Sequence, residues 1–127
     1  KRQNLNTMVK DRDNALETAQ DKWKTSAIGT KYQQAVNYKN GISKAKWDPI
    51  NNPDHKMNQE IIDKGNSVLG EIKRRVYAVH NPMIQDQWER NSQYGSNTIT
   101  KEQLGTILNP EYNAAGDVDK NNPLLSQ

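Results

Sequence analysis

Residues 54–80 read DHKMNQEIIDKGNSVLGEIKRRVYAVH and carry the clearest apolar stripe in the chain. Met57, Ile61, Ile62, Val68, Leu69, Ile72, Val76 and Val79 fall, at 100° per residue, within an arc of about 140°. That is the width of a core-facing helix surface, so this stretch predicts a long amphipathic helix that gathers the other segments. Gly65 lies inside the arc, where a missing side chain lets a second helix approach closely. Asp54 is the expected cap, with Pro53 just before it. Lys73, Arg74 and Arg75 suit the last turn, where the helix dipole favours cations.

Upstream, residues 4–27 predict a helix whose stripe holds Leu5, Met8, Val9, Ala15, Leu16, Ala19, Trp23 and Ala27. Arg12 falls in mid-stripe; its stem is expected to pack while its head reaches water. Gly29 suits the position that terminates this helix. Thr30 then caps a second helix to about Trp47, with Tyr32, Ala35, Val36 and Ile42 on one face and Gly41 as a place to stop or bend. WDPINNPDH reads as a loop.

Downstream, His80-Asn81-Pro82 predicts a break, with Asn81 and Pro82 opening a shorter helix that carries Met83, Ile84 and Trp88. Tyr94-Gly95 closes it. Thr100 to Gln103 is a capping-box pattern, followed by Leu104, Ile107 and Leu108 and a stop at Asn109-Pro110. The fold expected is therefore all-α. It is a small helical bundle of two to three long helices, largely antiparallel, plus two short helices. Residues 1–111 form the domain, and residues 112–127, rich in turn formers, form an irregular C-terminal tail.

Composition restricts function. Ile, Leu and Val number 22 of 127 residues and Phe is absent, whereas Asn and Gln number 16 and 10. That aliphatic share lies below the roughly 20% expected of a chain that folds well alone, while the net charge of +3 is too small for the disorder signature. A thin core with dependence on a partner follows. The mild positive charge suits an acidic protein surface and permits nucleic acid without demanding it. With no cysteine, disulfides and thiolate chemistry are excluded. No run reaches the roughly 18 apolar residues of a membrane span. The opening Lys1 fits a domain excised from a longer protein.

No chemical motif is complete. AIGTK lacks the first glycine of a phosphate-binding loop, and no G-x-S-x-G elbow occurs. Ser92, Tyr94 and Ser96 precede Ile99 at calcium-loop spacing, but Gln103 stands where a bidentate Glu is needed. Asp117, Asp119 and Asn121 match three calcium positions without a closing Glu. His55 and His80 sit in no metal-binding pattern, and His55 reads as a solvated first-turn residue. No metal or other cofactor is expected.

His80 with Lys73, Arg75, Tyr77 and Glu89 is chemically sufficient for metal-free cleavage of RNA. This gives the alternative expectation of a small toxin-type nuclease acting on RNA or DNA. A non-catalytic nucleic-acid contact through Lys73, Arg74 and Arg75 is a third. The leading expectation is a non-enzymatic protein-interaction or assembly module, able to form an oligomer. It would belong to a secreted, secretion-system or virion-associated protein, secreted or extracytoplasmic rather than cytoplasmic. Trp47, among charges at a helix end, and Tyr77, on the polar face with Gln59, Asn66 and Gly70, are its candidate contact residues, beside Lys73, Arg74 and Arg75.

Overall fold

The computed structural model describes residues 4–109, within which there are four helices and no strand. Helix α1 spans Leu5–Lys24, α2 Ala27–Asn40, α3 Pro53–Gln93 and α4 Lys101–Leu108. The all-α expectation holds. The expected tail, with Asp117, Asp119 and Asn121, lies outside the described residues.

Helix α3 is one element of 41 residues, about 61 Å at 1.5 Å per residue. Asn52 caps it with its side-chain oxygen, two residues earlier than the cap expected at Asp54, and Pro53 takes the first helical position. The break expected at Asn81-Pro82 does not occur. Tertiary contacts take the amide that would have made the cap. Asn81 Oδ1 accepts a 2.8 Å hydrogen bond from Arg12 Nη1, and Asn81 Nδ2 donates to the Leu108 carbonyl. Pro82 and Ala78 are both exposed, so the Ala78 carbonyl that Pro82 cannot serve faces water.

The junction between α1 and α2 is two residues, Thr25 and Ser26. Ser26, not Thr30, caps α2, its side chain accepting from the Gly29 N–H at 3.1 Å. Gly29 therefore does not end α1. It is glycine because a Cβ there would overlap the Trp23 carbonyl and the Lys24 backbone. Helix α2 stops at the Gly41 cap, short of Trp47.

Helices α1 and α2 do not lie side by side on α3. They follow one another along it, both antiparallel to it. Rising along α1 and α2, the partners on α3 fall steadily. Leu5 clusters with Ile84, Arg12 lies on Tyr77, and Gln20 donates to the Leu69 carbonyl. Tyr32 Oη then donates to Asn66 Oδ1 and Lys39 Nζ to Gln59 Oε1. The molecule is thus a rod two helices thick over most of its length. One apolar cluster, Leu5, Val9, Ile84, Leu104 and Ile107, closes the end where α4 packs. The other, Tyr32, Ala35, Ile62 and Leu69, holds α2. Gly65 accommodates the Tyr32 ring, as its place in the stripe implies; a Cβ would occupy the ring's position. At Thr100 the capping box is present, with Gln103 serving as its return acceptor.

Candidate interaction surface

Between the two apolar clusters lies a buried polar layer. Arg12 is fully buried, contrary to the expectation that its head reaches water. Its Nε donates to Asp13 Oδ1 at 3.1 Å, and Nη1 donates to Asn81 Oδ1 and, at 2.7 Å, to the Ile107 carbonyl. The guanidinium carbon stands 3.9 Å from the centroid of the Tyr77 ring. One side chain on α1 therefore ties α3 and α4 together. The stem is too short to escape because α4 roofs the position, a contact 95 residues away in sequence. Burial pushes the Asp13 carboxyl above its ordinary range, opposed by Arg12 and less strongly by Lys73 and His80.

This layer absorbs two residues expected at the surface. Lys73 is fully buried and Tyr77 only 4% exposed. The assignment of Tyr77 to a solvated face is corrected, and so is Lys73 as an exposed cation. Both errors have one cause: the seam that α1 covers is displaced around α3 from the centre of the apolar stripe. Arg74 and Arg75 are exposed as expected, and both pair with Glu71, at 2.9 and 3.3 Å. The Arg74 hydrogen bond first, and then Arg75, hold the Glu71 carboxyl below its ordinary range.

Trp47 is half-buried in the loop after α2 and belongs to a small aromatic group at the far end of the rod. Its ring stacks on His55 at 4.5 Å and 10°, and its Nε1 donates to Gln59 Oε1 at 3.1 Å. His55 is buried, not solvated; its Nδ1 accepts from the Asp48 N–H at 3.0 Å. The Asn51 amides donate to Asp48 and hold its carboxyl below the usual range. Trp47 therefore lies apart from Tyr77 and the Arg74–Arg75 pair, which are neighbours on α3, Arg74 and Tyr77 lining one surface pocket.

The candidate catalytic set does not converge either. His80 is half-buried on the side of α3 that faces Asp13, and Tyr77 lies under Arg12. Arg75 and Glu89 are exposed. At 100° per residue Arg75 points about 140° and Glu89 about 180° away from His80. Among the described residues no group of three or more His, Asp or Glu side chains is placed to hold a metal ion. No described helix is long and apolar enough to cross a membrane.

What the rod does expose is the other flank of the α3 stripe. Met57 is 55% exposed, Val68 37% and Val79 65%, with Met83 also exposed and Ile61 and Ile72 half-buried between them. Ile28 of α2 adds to the same flank at 68%. An apolar groove of about 150 Å³ lies there, walled by Trp23, Ile28, Tyr32, Ile61 and Val68. The sequence named these α3 residues but placed them all in the core. The signal that separates them is width: a 140° stripe is broader than the seam that one neighbouring helix can cover, so part of it is left over. Comparison with protein-family models, curated proteins and solved structures gives no match to this chain.

Proposed function

We propose that the chain is a non-enzymatic helical interaction module, a building element of a larger assembly of the secreted, secretion-system or virion-associated kind. One observation carries this reading: a rod two helices thick leaves a continuous apolar flank from Met57 to Met83 without a covering element among the described residues. Isolated apolar side chains on a surface need no explanation, but a line of them along one helix face marks a place where another surface packs. The amide-rich composition supports the same reading, since amides keep the remaining faces polar without adding charge.

A photo-crosslinking side chain placed at Val68, and in parallel at Asp21 on the exposed side of α1, tests the proposal in the cells that make the protein. Covalent capture of a polypeptide from position 68 and not from position 21 is the expected result. Equal capture at both positions, or none at 68, removes the stripe as an interaction surface.

A further inference from the structure

We infer that the partner on this flank is a second copy of the same chain, its α3 laid antiparallel about a two-fold axis passing at Val68. This rests on the interaction-module reading and names its occupant. The positions support it. With Val68 on the axis and opposite its own copy, Met57 of one copy comes level with Val79 of the other, so the two exposed ends of the stripe overlap. In such a symmetric contact the same edge of each stripe meets itself. On one edge stand Glu60, Lys64, Glu71 and Arg75, of which Glu60, Lys64 and Arg75 are exposed.

Antiparallel overlap brings Glu71 of one copy within one residue, about 1.5 Å along the axis, of the level of Lys64 of the other. Glu60 comes equally close to the level of the second copy's Arg75. Each charge thus gains an opposite neighbour, four pairs in all by symmetry. Parallel overlap about a two-fold axis would instead set opposite edges of the two stripes together, so these four side chains would not meet across the contact. The charge order on this edge is complementary to itself only in the antiparallel arrangement.

Size sets the strength. The stripes of the two copies overlap from Met57 to Val79, about 33 Å, and a helix is about 10 Å wide, so each copy contributes about 330 Å². That is less than half the roughly 800 Å² per partner of a standard stable interface, which places the contact among weak, reversible ones with Kd between about 1 µM and 1 mM.

Sedimentation of the whole chain across that concentration range tests the inference. The wild-type chain is expected to pass from monomer to dimer within it. Lys64→Glu and Glu71→Lys, each on an exposed or half-exposed helix position, are each expected to weaken self-association about tenfold by setting like charges together. An equimolar mixture of the two variants is expected to restore it, because both cross pairs become opposite again. A wild-type chain that stays monomeric to about 1 mM overturns the second-copy inference. So does a mixture no tighter than its components, provided circular dichroism shows both variants folded. If the chain is monomeric but position 68 captures a different polypeptide, the second copy is wrong and the interaction module stands.

Discussion

Replacing Arg12 by Met is the sharpest test of the architecture. The substitution keeps an unbranched stem of similar length and removes only the guanidinium. Three hydrogen bonds disappear, to Asp13, Asn81 and the Ile107 carbonyl, together with the contact over the Tyr77 ring. Asp13, 6% exposed, then keeps a buried carboxylate without its nearest cation. Removing one partner of a buried ion pair costs about 3–5 kcal/mol, most of it the penalty of the charge left behind. Against a total of about 5–15 kcal/mol for a domain, and the lower part of that range for a rod this thin, the loss is severe. In urea, with a slope of about 1–2 kcal/mol per M, the midpoint should fall by about 2 M or more.

The double variant Arg12→Met with Asp13→Asn separates this cause from simple loss of packing. Deleting the stranded charge should recover about 1–3 kcal/mol relative to the sum of the single effects. Urea unfolding followed by circular dichroism gives all three numbers. If Arg12→Met costs less than about 1 kcal/mol, or the two changes add, the guanidinium is not what ties α1 to α3 and α4.

Three further outcomes follow from the same contacts. Gly65→Ala should destabilise by about 1–3 kcal/mol because the new Cβ meets the Tyr32 ring, whereas Gly105→Ala, with open space around it, should stabilise by about 0.5–1 kcal/mol; thermal unfolding of the pair reads both signs. Because Asp13 is raised above its ordinary 3.8, the folded state binds its proton more tightly than the unfolded chain, so its contribution to stability falls as pH rises through the folded value. The wild-type urea midpoint should therefore rise relative to that of Asp13→Asn as pH is lowered from neutral towards 3.8, and a wild-type midpoint that falls relative to Asp13→Asn refutes the burial cause. Tyr77→Ala should cost about 3–5 kcal/mol, as expected for a buried aromatic, while Trp47→Ala, at a half-buried loop position, should cost distinctly less in the same unfolding assay.

A polar layer in the middle of a thin rod has a physical use beyond its modest net stability. Apolar side chains on α1 would tolerate sliding by a turn along α3, because such contacts are not directional. Arg12 tolerates one register only, since its donors must meet Asn81 and the Ile107 carbonyl together. The shallow apolar clusters on either side supply burial, and the charged layer sets the alignment.

The long amphipathic helix, the helical class and the capping box at Thr100 were legible in the residues, because each depends on periodicity or on side chains within one turn of one another. The room left at Gly65 was legible for the same reason. The continuity of α3 through Pro82 was not, because it depends on Asn81 being engaged by Arg12 and Leu108, partners far away in sequence. Nor was the burial of Arg12, Lys73 and Tyr77, since a helical wheel gives directions but not which direction meets a neighbour. The sequence by itself determined which side chains share a face of α3. Only the tertiary structure decided which part of that face is covered, because α1 and α2 lie end to end and a single neighbouring helix is too narrow to cover the whole stripe.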